Sequence, residues 1–517
     1  MVFVRRRVVL LAAAALIVLA LTRVGGGRSG SAHPTTPVGP PIKITVQSGE
    51  PGRQVPAGFV GLSLEYPAIE AYTGTDPNAL DPVFLQLVRN LVPGQAPVLR
   101  IGGDSTDRAW WPTPGLARPP GVTYAITKRW IEVTRALART LRARLILGLN
   151  LEADSPALTT AEAGALLHGL GSYGLGSHPP RLVRALELGN EPDLYPTFPW
   201  YHTADGRKVP GRPPSYDMSS LIADWATFST TLPPGLLAGP SLGAPRWMRQ
   251  LPQFLAAEPR IRLVTLHRYP LQSCFIPRGS PRYPTVRHLL SPASSIGLAD
   301  SFAPYAAMAD ARGLGLRIDE LNSVSCGADP SVSKTFASAL WVLDTLFEMV
   351  RVGVHGVNIH TFPGAGYELF ELRHVDRRWR ATVEPEYYGL MLFARAAPAG
   401  SRLLRVDGAA AGDVHTWATG GVGGTIRITM VNSGSQARRL SLAIADERLD
   451  PGRLEWLTAP GVRAHGGVRL GGQSFASPTL SGLLAGRPSF SSVAPVDGRY
   501  AVSVPADSAA LLVLSRP

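Results

Sequence analysis

Eight times along this chain an apolar run of strand length recurs: Phe59–Glu65, Pro97–Asp104, Arg144–Leu149, Ala185–Glu191, Leu236–Ser241, Leu263–Tyr269, Gly315–Glu320 and Gly356–Thr361. Each run is nearly continuous in its hydrophobicity, the pattern of a strand covered on both faces. Helical spacing appears between the runs. Ile126–Leu141 carries Trp130, Val133, Leu137 and Leu141 three or four residues apart, and Thr335–Val352 is rich in Ala, Leu, Phe and Trp. Strand, helix, strand repeated in this way predicts an α/β chain whose parallel strands close into a (β/α)8 barrel. The alternative is an open doubly wound sheet, but no Gly-x-Gly-x-x-Gly phosphate loop follows the first run.

A barrel of this kind gathers the carboxyl ends of its strands on one face, so polar residues there share a pocket. The strand ends are polar almost throughout: Ser63-Leu64-Glu65-Tyr66 on the first, Arg100-Ile101-Gly102-Gly103-Asp104-Ser105-Thr106-Asp107 on the second and Asn150 on the third. His267-Arg268-Tyr269 closes the sixth and Asn358-Ile359-His360 the eighth. Two glutamates stand out. The fourth strand stops at Gly189-Asn190-Glu191-Pro192 and the seventh at Ile318-Asp319-Glu320-Leu321-Asn322, 320 − 191 = 129 residues later. Two carboxyls at the carboxyl ends of two buried strands are what retaining glycoside cleavage requires, one holding a proton while the other stays ionised and attacks.

At 517 residues the chain exceeds a single barrel of about 250 to 400 residues. From Leu403 the pattern changes to short alternating strands between Gly-, Ser- and Pro-rich turns: Val414–Trp417, Thr425–Val431, Arg439–Ile444, Tyr500–Val504 and Ala510–Leu514. That spacing predicts a C-terminal antiparallel β-sandwich, joined by a strand from Pro41–Val46 ahead of the barrel. The expected division is a targeting segment over 1–32, a linker and sandwich strand over 33–57, the barrel over 58–398 and the sandwich over 399–517. Arg5–Arg7 precede fourteen apolar residues, Val8 to Leu21, too few to span a bilayer. They predict a secreted or extracellular protein, with anchorage through this segment as the alternative.

The net charge of +13 comes from scattered arginines, with only four lysines, Lys43, Lys128, Lys208 and Lys334. No basic run suggests nucleic acid; attraction of an anionic polysaccharide is the functional reading. No obligate protein partner is evident. No cofactor or metal is expected: no His-Glu-x-x-His occurs, His267 has no second histidine at ligand spacing, and His355 and His360, five apart, face opposite sides of a strand. The two cysteines, Cys274 and Cys326, follow neighbouring strands six and seven, which in an exported protein predicts one disulfide beside the seventh strand end. Two buried free thiols are the alternative.

Leu186–Pro192, the run Glu320-Leu321-Asn322-Ser323-Val324-Ser325-Cys326-Gly327 and Gly364-Ala365-Gly366-Tyr367 together resemble glycoside hydrolase family 79, which holds β-glucuronidases and heparanases. The resemblance runs from about Ile42 to the end. It implies a retaining barrel enzyme with Glu191 as acid/base and Glu320 as nucleophile, acting on a glucuronic-acid-containing glycan or glycoside. It further implies that Tyr367 and the backbone near Gly327 and Gly366 hold the sugar carboxylate, with no arginine beside the nucleophile. Glu65 and Asp107 are matched to the sugar's outer hydroxyls, with Asp104 as the competing candidate. From its place beside the acid, Asn190 suits the 2-hydroxyl, and Glu191 is expected to be the less solvated glutamate. His267 and Tyr269, next to strand seven, are read as orienting the nucleophile or the bound sugar. Two rival readings stand: a barrel glycosidase for neutral sugars, of arabinofuranosidase or xylosidase type, and a non-catalytic carbohydrate-binding protein.

Overall fold

The computed structural model describes residues 37–171, 182–445, 447 and 450–515; the targeting segment expected over 1–32 lies outside them. Eight parallel strands close into a barrel: Val60–Glu65, Val98–Gly102, Arg144–Leu149, Val183–Leu188, Leu237–Leu242, Leu263–Arg268, Gly315–Leu321 and Gly356–His360. They are the eight apolar runs of the sequence, in order. Helices cover the outside. Lys128–Leu141 buries Trp130, Val133, Leu137 and Leu141 on its inner face, and it starts two residues later than its pattern suggests because the Thr127 side chain caps the Trp130 amide.

The barrel interior is layered. Val98, Ile146, Ala185, Ala238 and Leu263 form an apolar plug towards the strand beginnings. Two residues on from Val98, Ala185 and Leu263 stand Arg100, Glu187 and Thr265, and these, with Ser63, Asp319 and Asn358 from the other strands, form a buried polar set. Strict alternation would put Glu320 on the opposite face from Asp319. The ladder between strands six and seven slips, however, pairing Leu266 with Ile318 and then His267 with Glu320, and a second slip lies between Ile318 and Leu321 towards strand eight. Such an irregularity re-aims a side chain, and here it brings both acids inward, Asp319 below and Glu320 at the pocket floor.

The second domain is an eleven-stranded, mainly antiparallel sheet. Its nine-strand path curls so that Ile44, Met430, Leu442, Val502 and Leu512, from strands across its width, share one core. Ile42–Gln54 lies inside it, parallel to Arg438–Ile444 and antiparallel to Arg402–Asp407. Gly452–Thr458, whose alternation is weak in sequence, supplies a further strand against Ser508–Leu514. Helix Phe336–Arg351 is wedged between barrel and sheet and buried along nearly its whole length. Its Asp344 accepts from Trp417 Nε1 at 3.0 Å and lies 2.9 Å from His415 Nδ1. Among the described residues no helix is long and apolar enough to cross a membrane.

Cys274 and Cys326 are joined in a disulfide, with Cα atoms 5.8 Å apart, tying the loops after strands six and seven. The bridge closes a separation of 52 residues, which in the chain-entropy picture stabilises by at most about 4 kcal/mol. Thiol titration of the unreduced, denatured protein should find no free cysteine, and the double Cys→Ser variant should lose up to about that much stability in urea unfolding.

Candidate active site

The pocket floor is organised around Arg100, which rises from the second strand with no exposed surface. Its Nη1 donates to Glu320 Oε2 at 2.6 Å and to Ser63 Oγ at 3.1 Å. Nη2 donates to Asn190 Oδ1 at 2.8 Å, and Nε to Glu187 Oε2 at 2.8 Å. An arginine therefore stands beside Glu320, contrary to the expectation from sequence. It lies beneath the carboxylate rather than at the pocket rim. Tyr269 donates its hydroxyl to the other oxygen, Glu320 Oε1, at 2.9 Å. Burial alone would raise the Glu320 carboxyl, but the charges of His360, His267 and Arg100 and the Tyr269 hydrogen bond outweigh it. They hold Glu320 well below the usual carboxylate range.

Glu191 follows Gly189-Asn190 in a left-handed conformation, φ 49° and ψ 54°, uncommon for a residue with a side chain and costly enough to mark a functional position. Its backbone is pinned by donation to the Ser241 carbonyl at 3.1 Å. Its Oε1 lies 3.3 Å from His267 Nδ1. A Cβ on Gly243 would sit 2.6 Å from the same oxygen, so a larger residue there would displace the Glu191 carboxyl. Asp193 fixes that turn by accepting from the Gly243 and Ala244 amides at 3.1 and 2.6 Å. Carboxyl oxygens of Glu191 and Glu320 come within 4.8 Å of one another.

The expected order of solvation is reversed: the Glu191 side chain keeps 19% of its surface and Glu320 only 9%. The two glutamates differ through their partners, not through burial of the acid. His267 is fully buried, against Glu191 on one nitrogen and against Ser241 Oγ at 3.1 Å and Asp319 Oδ1 at 3.3 Å on the other. Burial and Arg100 oppose its charge, but Glu320, Asp319 and Glu191 prevail and push it up to about 10. It thus orients Glu191, whereas Tyr269 orients Glu320.

The remaining acids separate into two kinds. Asp107, expected to bind sugar hydroxyls, is buried with its acceptors already engaged. Its Oδ1 accepts from the Leu151 and Glu152 amides and its Oδ2 from the Asn190 amide and the Tyr195 hydroxyl, at 2.7 to 3.1 Å. Its place is to hold Asn190. Glu65 accepts from the Asp104 and Ser105 amides at 3.1 and 2.8 Å, with His360 Nε2 at 3.4 Å. Asp104 is the acid most open to the pocket, 3.5 Å from Asn190 Nδ2. Although its edge meets solvent, enclosure by the cleft and then the charges of Glu65, Glu320 and Glu191 push it up to about 7. Across the floor, Tyr367 packs with ring centroids 5.9 Å from both Tyr269 and His360. A Cβ on Gly366 would lie 3.1 Å from the Gly327 carbonyl oxygen, so the loops after strands seven and eight meet there. Arg100 and His360 lie in strand ends that the sequence places at the pocket but carry no assigned role there, and Glu187 and Ser241 are not singled out; for Arg100 and Glu187 the available signal is a charge inside a run otherwise apolar.

Glu187, His267 and Asp319 have donor atoms within 4.8 Å of one another, as do Glu191, His267 and Glu320. A cation among the first three would face the Arg100 guanidinium, 2.8 Å from Glu187 and 3.8 Å from Asp319, so the counter-charge to these acids is already in place.

No family model matches the chain. A β-glucuronidase from Neurospora crassa is 23% identical over 392 residues, 69% of this chain and 66%, just under two thirds, of the relative's own length. Among solved structures, a 4-O-α-L-rhamnosyl-β-D-glucuronidase from Fusarium oxysporum 12S superposes with a TM-score of 0.68 at 18% identity, covering 90% of this chain and 99% of the other. A family 51 arabinofuranosidase from Xanthomonas axonopodis pv. citri gives 0.65 at 14% identity, covering 92% and 100%. The fold is thus that of barrel glycoside hydrolases with an attached β-sandwich.

Because Glu320 is held below its unfolded value of 4.5, its pairing with Arg100 stabilises the fold above that pH. The contribution is lost only as pH falls through the depressed folded value. Removing Arg100 strands buried carboxylates, so Arg100→Met should cost roughly 3–5 kcal/mol at neutral pH by urea unfolding. The deficit should shrink at acid pH; a loss within about 1 kcal/mol, the range of an exposed ion pair, would contradict this placement.

Proposed function

We propose that the chain is an exported, retaining β-glucuronidase. The observation that carries the reading is the approach of the Glu191 and Glu320 carboxyls to within 4.8 Å. This suits retention, for which the groups stand about 5–5.5 Å apart, rather than inversion at about 6.5–9.5 Å with water between them. Glu320, ionised and steadied on one oxygen by Arg100 and on the other by Tyr269, attacks the anomeric carbon and forms a glycosyl-enzyme. Glu191 passes its proton to the departing oxygen, and the protonated His267 beside it stabilises the carboxylate left behind. Glu191 then takes a proton from the water that releases the sugar. Asn190, locked by Arg100 and Asp107, has its Nδ2 available to the sugar's 2-hydroxyl, and Asp104 to an outer hydroxyl.

Selection of a uronate is supported by the meeting of the Gly327 and Gly366 loops next to Tyr367. Among the described residues, the backbone N–H groups of Gly327 and Gly366 have no hydrogen-bond partner. Unpaired amides beside a tyrosine offer neutral donors to a carboxylate. The glucuronidase names of the fungal relative and of the Fusarium neighbour agree with this. The disulfide fits an oxidising compartment.

A panel of chromogenic glycosides tests the reading. Turnover of aryl β-glucuronide but not β-glucoside, β-xyloside or α-arabinofuranoside is expected; comparable turnover of a neutral sugar would transfer the assignment to that class. Glu320→Gln should abolish hydrolysis whatever the leaving group. Glu191→Ala should spare activated aryl glucuronides and be partly rescued by azide. Tyr367→Phe should lower kcat/KM on the glucuronide roughly ten- to a hundredfold, the worth of one hydrogen bond to a charged group.

A further inference from the structure

Beneath the catalytic pair lie two acids that the double displacement does not use. Glu187 and Asp319 point into the barrel from strands four and seven, with no exposed side-chain surface. The charged groups that face them are few. Arg100 Nε lies 2.8 Å from Glu187 Oε2 and 3.8 Å from Asp319 Oδ2. His267 Nε2 lies 3.3 Å from Asp319 Oδ1. Glu320 takes the far side of the Arg100 guanidinium. Arg317, on Asp319's own strand, spends its donors on Asn358 and on the Gly58, Phe59 and Val357 carbonyls.

Once these contacts are made, Glu187 Oε1 has no donor, and neither Asp319 oxygen accepts a formed hydrogen bond. Oxygens of the two carboxyls come within 4.8 Å of one another. Two carboxylates so close in a dry interior, sharing a guanidinium with a third, cannot both be ionised. We propose that Glu187 and Asp319 share one proton, carried on Glu187 Oε1 and donated to Asp319, as an acid–carboxylate dyad under the catalytic centre. Oε2 already accepts from Arg100, so Oε1 is the oxygen left to carry it. Burial raises Glu187 to about 8 against the pull of Arg100. Burial also acts to raise Asp319, but its polar contacts with Glu187 and His267 and the charges of His267 and Arg100 bring it below its usual value.

The dyad positions both catalytic acids without touching substrate. With Glu187 neutral, Arg100 is left to Glu320. With Asp319 ionised, His267 stays charged against Glu191. This consequence rests on the glycosidase reading, but the proton itself does not.

Two measurements on Glu187→Gln read the proton without substrate. The infrared difference between wild type and variant at pH 7 should show the loss of an un-ionised carboxylic C=O band. Loss of an ionised carboxylate band instead would overturn the proposal. The folded value is raised above the unfolded 4.5, so this group's contribution to stability is present at low pH and is lost as pH rises through about 8. The unfolding constant of wild type relative to variant should accordingly rise up to tenfold per pH unit across that window; a flat ratio would also overturn it. If turnover exists, kcat/KM of wild type relative to variant should fall above about pH 8, where only the wild type gains a charge under Glu320. An absence of glucuronide turnover with the carboxylic band present would refute the function while leaving the dyad standing.

Discussion

A guanidinium buried among three carboxyls is the interaction on which the rest of the site depends. Arg100 comes from strand two, and its partners come from strands one, four and seven and from the turn after strand four: Ser63, Glu187, Glu320 and Asn190. Taking a guanidinium out of water costs several kcal/mol unless its donors are satisfied, and removing any one partner leaves an uncompensated charge. The planar fork suits this place because it distributes donors at fixed angles. Carboxylate and amide acceptors on different strands are thereby held in one geometry, as the proposed displacement would require of Glu320 and Asn190.

Each of the two strand-end glutamates departs from ordinary strand geometry in its own way. Glu191 has left-handed backbone angles, and Glu320 sits at a slip in the ladder that turns two consecutive acids inward. Neither departure is supported locally. The first leans on Ser241 from the neighbouring strand and on Gly243 in the turn after it, a turn that Asp193 fixes. The second leans on Tyr269 and Arg100. Outside the barrel mouth, the disulfide fastens the loops that follow His267 and Glu320, limiting their drift from the same frame.

The barrel was legible because a strand covered on both faces must be apolar along its length, and eight such runs recur in this chain. The two glutamates were legible because each ends such a run. Their relative solvation was not, since it depends on Tyr269, His360 and Gly243, which come from three other segments. Asp107 shows the same limit: as a strand-end acid it reads as a sugar ligand, yet four donors from separate loops consume its oxygens. Arg100 and Glu187 carried a signal, being charges inside apolar runs. Periodicity gives their inward phase but cannot say that they meet. The slip that places Asp319 beside them depends on pairing between strands, which no single segment encodes.

As proposed, Glu320, held ionised over Arg100, becomes covalently bound to the sugar during turnover. Incubation with a 2-deoxy-2-fluoro-β-glucuronyl fluoride, which slows release of the intermediate more than its formation, followed by peptide mass mapping, tests it directly. One 2-deoxy-2-fluoroglucuronyl adduct is expected, on the peptide containing Glu320. An enzyme that hydrolyses β-glucuronides yet yields no adduct, or carries it on another residue, would contradict it.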